Sequence, residues 1–156
     1  MGLHRAGVYI GENLLGADWS NPLGHWENKD FKILNEKILH AAGGTWSQPP
    51  PEDKILAIYP QFKDKIEAVV RKSERAPLWG WKEPRTTLTI RLYLPHLLNP
   101  HIIAIFRDPV AVAASLKRRN NMGVKQGLAL AKEYNQRLIA FLSEYYGVLS
   151  TAYERL

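Results

Sequence analysis

The sequence predicts an α/β fold, a parallel sheet flanked by helices. Three observations carry that prediction. The run His101 to Phe106 (HIIAIF) is continuous, apolar and rich in β-branched residues, the pattern of a strand buried on both faces of a parallel sheet. Asp108-Pro109 follows at once, an N-cap and a first-turn proline that start a helix directly after a strand. Over the whole chain, helical and extended patterns alternate as helix, helix, strand, helix, strand, helix, helix, strand, which argues for a parallel sheet with right-handed crossovers.

In chain order, Leu3 to Gly7 reads as the last turn of a helix with Gly7 as its left-handed cap, so the sequence looks as if it begins inside an element. Gly16 to Gly24 has loop composition, with a turn at Asn21-Pro22. Phe31, Leu34 and Ile38 then recur at helical spacing until Gly43-Gly44 ends the helix. Trp46 to Pro51 is a loop, because its three successive prolines cannot continue a helix. From Glu52 to Arg75, Ile55, Tyr59, Phe62, Ile66 and Val69 form one apolar stripe, and Pro60 breaks or bends it near Tyr59.

Leu78 to Lys82 is short and aromatic between Pro77 and Pro84, and reads as a strand. Thr86 or Thr87 can cap a helix that runs to about Tyr93 or Leu94, closed by Pro95 and a turn at Asn99-Pro100. The strand at His101 follows, then the helix from Pro109 to between Asn120 and Gly123, whose alanines at 111, 113 and 114 permit close packing. Val124, Leu128, Ala131, Asn135, Leu138, Leu142 and Tyr145 mark a face of another long helix, extending to Tyr146. After Gly147, Val148 to Tyr153 is compatible with a third strand.

At 156 residues the chain is expected to be a single domain, 1–156, and its 46% hydrophobic and 23% charged residues are ordinary for a soluble globular protein. No run approaches the ~20 apolar residues of a membrane span and no signal core opens the sequence, so a cytoplasmic location is the expectation. The absence of cysteine removes disulfides, thiolate metal sites and cysteine nucleophiles. Five histidines remain, but no two stand at the spacing of a helical metal pair, so no metal is expected. The net charge of +6 favours anionic partners; Lys117-Arg118-Arg119 is its densest cluster, with a solvated helix face as the alternative. No nucleic-acid-binding motif accompanies these residues.

Charge terminates two apolar runs, at Lys82-Glu83-Pro84-Arg85 and at Arg107-Asp108-Pro109. In open α/β sheets ligands bind beyond the carboxyl ends of strands, which makes Trp79 to Asn120 the site candidate. Ser115 stands seven positions after Asp108, about two turns at ~3.6 residues per turn, so its hydroxyl can share a crevice with Arg107. A phosphate there could take a guanidinium, a hydroxyl donor and Arg119 one turn further on; a structural ion pair at Arg-Asp-Pro is the alternative.

These residues together resemble a family. Arg107-Asp108-Pro109, with Ser115-Leu116 and Arg119-Asn120 beyond, is similar to the 3′-phosphate-binding segment of sulfotransferases that use 3′-phosphoadenosine 5′-phosphosulfate (PAPS). Trp81 to Arg85 resembles their W-K-D/E-P-R strand end, and Asn21 to Glu27 resembles the N-P-x-G-Y-F-E loop of the bacterial, glycan-type branch. Gly43-Gly44-Thr45-Trp46 and Tyr153-Glu154 also have counterparts, so the likeness covers nearly the whole chain in the expected order.

The resemblance implies a fold of the P-loop superfamily and transfer of a sulfuryl group from PAPS, as cosubstrate, to a hydroxyl of a carbohydrate or lipid. Arg107 and Ser115 would hold the 3′-phosphate, with Arg119 assisting. Lys82 would lie near the transferred group and offset charge on the leaving phosphate, with pairing to Glu83 or Asp108 as the alternative. Glu27 would be the base, with His25, which replaces the family's usual tyrosine, as its rival; a place in the first turn of a helix is the alternative for Glu27.

One departure matters most. The family opens with a strand and a glycine-rich loop of the type H-R-S-G-T-S that cradles the 5′-phosphosulfate, and this sequence contains none; it also stops before the family's closing helices. It therefore resembles a truncated sulfotransferase, with weak nucleotide binding and little or no activity expected. The missing strand belongs between His101–Phe106 and Val148–Tyr153, so those strands are expected to close together or to leave an edge through which a homodimer forms. A non-catalytic module that binds 3′-phosphorylated nucleotides or an acidic partner is the rival reading, and a P-loop kinase is disfavoured because no GxxxxGK[ST] loop is present.

Overall fold

The computed structural model describes residues 2–19, 21–145 and 148–152. The architecture is mixed α/β, and the chain divides into two compact units, Met1–Leu97 and Leu98–Leu156.

The first unit is mostly helical. Helix α1 (Gly2–Arg5) is a single turn, and Gly7 caps it at φ 86°, where a side chain would be strained. Two-residue strands β1 (Leu14–Leu15) and β2 (Glu27–Asn28) pair antiparallel, a pairing without a periodic signature in the sequence. Helix α2 (Lys29–Ala41) starts at Asn28, whose side chain accepts from the N–H groups of Asp30 and Phe31. It stops where expected: Gly43 takes φ 84° and Gly44 N–H donates to the Leu39 carbonyl.

The stripe from Glu52 divides into α3 (Glu52–Ala57) and α4 (Tyr59–Ser73), with Pro60 in the first turn of the second, where its missing N–H costs nothing. Helix α5 (Thr86–Tyr93) follows and runs into a single 3-10 turn, Leu94–His96. Its N-cap is Arg85 and no side chain caps it, contrary to the expectation for Thr86 or Thr87. The Thr86 hydroxyl is engaged instead by Trp81 Nε1 at 2.9 Å and Asn35 Nδ2 at 3.2 Å.

Leu78 to Lys82 is not a strand. It makes one isolated parallel bridge, Tyr9 with Trp79, and the Lys82 carbonyl accepts from Asn28 N–H. Its aromatic residues serve the core: Trp81 stacks on Phe31 at 4.2 Å between ring centroids, and Trp79 stacks on Trp81 at 5.9 Å. Phe31, Ile38, Leu39, Ile55, Ile66, Val70 and Tyr93 are the buried centre of this unit.

In the second unit, β3 (Ile102–Phe106) leads to α6 (Pro109–Asn120), α7 (Val124–Glu144) and β4 (Val148–Ala152). β3 and β4 pair directly and in parallel, Ile102 opposite Val148 through Phe106 opposite Ala152. The two expected strands therefore close together. Both sheets are two-stranded, so a larger parallel sheet is absent among the described residues. β3 is also not buried on both faces: Ala104 is buried while Ile103 and Ile105, on the opposite face, are 42% and 59% exposed.

Asp108 caps α6, accepting from Ala111 N–H at 2.8 Å, and Asn121 closes it in the left-handed conformation at φ 53°. The buried face of α7 is Gly127, Leu130, Ala131 and Phe141, rotated from the expected stripe. Close approach explains the rotation: a Cβ on Gly127 would stand 3.0 Å from Ala113 Cα on α6. The expected strand end at Tyr153, the expected helix end at Tyr146, Gly147 and the Tyr153-Glu154 match lie outside the described residues.

Candidate active site

The six residues expected in the site fall into two groups, one in each unit. In the first unit, the structure brings together Glu27, Lys82 and His25. Glu27 precedes the α2 cap and belongs to β2, so it does not sit in the first turn of a helix. Pairing of β2 with β1 turns its side chain inward, where it is buried. Lys82 Nζ donates to Glu27 Oε1 at 3.0 Å and to the carbonyl oxygen of His25 at 3.2 Å. The lysine thus pairs with Glu27, 55 positions away in sequence, and not with Glu83 or Asp108. Its side chain is 55% exposed, so the ammonium faces solvent on one side and a nearly buried carboxylate on the other.

The His25 ring is held by Asp18, whose Oδ2 is 3.0 Å from Nε2. Asp18 is fixed in turn, its Oδ1 accepting Asn21 N–H at 3.0 Å within a small antiparallel bridge between residues 18 and 21. Asp18 carries no sequence signal of its own, because an aspartate in a loop reads first as a turn former.

Behind Lys82 lies a buried polar network centred on Asn35 of α2. Asn35 Nδ2 donates to Glu83 Oε2 at 2.6 Å, while Asn35 Oδ1 accepts from the hydroxyls of Thr89 at 2.7 Å and Tyr93 at 2.8 Å. The Glu83 carboxylate, fully buried, also takes Arg85 Nη1 at 2.6 Å, and Arg85 Nη2 reaches Glu36 at 3.1 Å. Burial pushes the Tyr93 phenol well above its ordinary range, and the Glu83 charge adds to that, so the hydroxyl stays a neutral donor. With Asn28 N–H on the Lys82 carbonyl, this network fixes the backbone on either side of the lysine. A polar residue between Leu34 and Ile38 on the buried face of α2 is the sequence signal that marks Asn35.

In the second unit, Arg107 follows the last residue of β3 and is half-buried, Ser115 is half-buried on α6, and Arg119 is exposed one turn later. None of the three is engaged by another side chain among the described residues. Arg107 precedes the α6 N-terminus, where Asp108 takes the Ala111 N–H, while Ser115 lies in the middle of α6 and Arg119 in its last turn. These residues offer two donor-only guanidinium groups and a hydroxyl that can donate, chemistry suited to an anion.

A cavity of ≈ 370 Å³ in the first unit is lined by Glu36, Leu39, His40, Thr45, Trp46 and Ser47, and includes none of the six expected site residues. Among the described residues there is no group of three or more His, Asp or Glu side chains that could hold a metal ion, and no helix long and apolar enough to cross a membrane. Comparison with family models, with curated proteins and with solved structures finds no match to this chain.

Proposed function

We propose that this chain is a sulfotransferase-like protein of the P-loop type that binds PAPS and serves transfer of its sulfuryl group to a hydroxyl of a carbohydrate or lipid. The observation that carries the reading is the meeting of Lys82 with Glu27 at 3.0 Å, two residues drawn from separate motifs and joined beside His25. In such a transfer the acceptor oxygen bonds to sulfur, the bond from sulfur to the 5′-phosphate oxygen breaks, and adenosine 3′,5′-bisphosphate leaves. Glu27 or His25 takes the hydroxyl proton, and Lys82 offsets the charge that grows on the departing phosphate.

Arg107, Ser115 and Arg119 fit the 3′-phosphate, because all three are free to donate, Arg107 at the end of β3 and the other two on the capped helix that follows. The direct parallel pairing of β3 and β4 through two helices departs from the complete P-loop-type sheet and is the closure expected when the strand between them is missing. No phosphosulfate loop is present in the 156 residues, so transfer by this chain alone is expected to be weak. A second reading, a non-catalytic binding module, is favoured by one fact: Glu27 Oε1 is already engaged by Lys82.

Isothermal calorimetry with adenosine 3′,5′-bisphosphate and adenosine 5′-monophosphate tests the proposal. Binding of the bisphosphate alone, lost in Arg107→Ala, is the expected result. Equal binding of both nucleotides, or none at millimolar concentration, rejects it.

A further inference from the structure

We infer that Asp18 is a positioning residue that fixes the tautomer of His25 and makes its Nδ1 the proton acceptor of the site, an assignment that rests on the proposed function for its catalytic meaning. A carboxylate only accepts hydrogen bonds, so the 3.0 Å contact with Asp18 Oδ2 places a proton on His25 Nε2. The neutral ring then carries its lone pair on Nδ1. Nδ1 has no partner among the described residues and is not sealed from solvent, although the side chain as a whole is only 11% exposed. A ring held at one nitrogen and open at the other is the arrangement a general base needs.

The neighbours favour this division of labour. Glu27 is committed to Lys82, and Lys82 also holds the His25 backbone through its carbonyl, so the cation orients the histidine without touching its ring. The charged or titratable groups around the ring are Asp18, Lys82 and Glu27, with His4 tilted against the adjacent Trp26 at 6.4 Å. Asp18 is itself constrained on both oxygens, since Oδ1 accepts Asn21 N–H at 3.0 Å.

That double engagement gives a sharp test. In Asp18→Asn the amide oxygen must stay on Asn21 N–H, which turns the NH₂ group toward His25 Nε2. The ring nitrogen there becomes an acceptor, and the proton moves to Nδ1. Long-range ¹H–¹⁵N correlation spectra of the neutral imidazole, recorded above pH 8, read the tautomer directly. The expected result is Nε2–H in the wild type and Nδ1–H in Asp18→Asn, with unchanged melting. Asp18→Ala, which neither donates nor accepts, should give a mixture.

Nδ1–H in the wild type, or no change in either variant, overturns the inference. A tautomer swap in a protein that fails to bind adenosine 3′,5′-bisphosphate upholds the dyad and rejects the sulfotransferase reading instead. Where labelled sulfuryl transfer from PAPS is measurable, Asp18→Asn should slow it by about 10²-fold or more at neutral pH with nucleotide affinity unchanged. Transfer at the wild-type rate in that variant overturns the role of Asp18.

Discussion

Asn35→Asp is the most informative perturbation of the scaffold behind Lys82. The substitution is isosteric, but it replaces the amide that donates to Glu83 Oε2 at 2.6 Å with a carboxylate. Asn35 is fully buried, and so is the Glu83 carboxylate. Two carboxylates at that distance cannot both ionise, so the pair retains one proton. Keeping that proton at pH 7, about three units above an ordinary carboxyl pKa, costs ~4 kcal/mol at ~1.4 kcal/mol per unit. The folded pair has the higher pKa, so the folded state binds more protons than the unfolded chain, and the variant loses stability as pH rises from about 4 through the raised value.

Urea melts read by tryptophan fluorescence suit this test, because all five tryptophans lie in the first unit. Relative to the wild type, Asn35→Asp should be within ~1 kcal/mol at pH 4.5 and ~4 kcal/mol less stable at pH 7.5. An equal loss at both pH values, or no loss, refutes the charge argument and the burial of the network.

Four further outcomes are expected. Lys82→Met leaves the nearly buried Glu27 carboxylate without its cation, and because the lysine is half exposed the loss in a urea melt should be ~1–2 kcal/mol, below that of a fully buried pair. Gly127→Leu forces atoms against Ala113, and circular dichroism melts should show ~1–3 kcal/mol of destabilisation. The hydrogen bond from Lys72 holds the Asp30 carboxyl below its ordinary range, with Asn13 assisting. Its stabilisation is present above the unfolded pKa and lost as pH falls through the lowered folded value, so acid titration should destabilise the wild type more steeply than Asp30→Asn. Finally, the β3–β4 sheet has unpaired outer edges among the described residues, and sedimentation should detect a dimer that Ile105→Lys weakens.

The sequence made the local rules legible and left the long-range ones hidden. Phe31, Leu34 and Ile38 declared α2, Pro60 declared the break before α4, and Asp108-Pro109 declared the entry to α6, because each acts through neighbours a few residues away. The pairing of Leu14-Leu15 with Glu27-Asn28 depends on residues more than ten positions apart, and two-residue strands have no periodicity to read. Leu78 to Lys82 misleads for a different reason: an aromatic extended segment has the same composition whether it joins a ladder or fills a core. On α7 the buried face follows Gly127, whose contribution is the absence of a side chain and so leaves no apolar mark.

The site was legible in part on the same grounds. Resemblance to a family's motifs singled out Glu27, Lys82 and His25, and the fold brings the Glu27 carboxylate and the His25 carbonyl to 3.0 and 3.2 Å from the Lys82 ammonium. Asp18 was invisible as a partner and Asn35 carried only the mark of a polar residue among apolar ones, since their roles depend on His25 and Glu83 being brought to them by the fold.

The central claim is that Arg107, Ser115 and Arg119 bind a 3′-phosphate, and phosphorus NMR tests it most directly. Adenosine 3′,5′-bisphosphate gives separate resonances for its two phosphates. Binding through these residues should shift and broaden the 3′ resonance, and Arg107→Ala should abolish the effect. A 3′ resonance that stays unmoved, or responds equally to Arg107→Ala and the wild type, contradicts it.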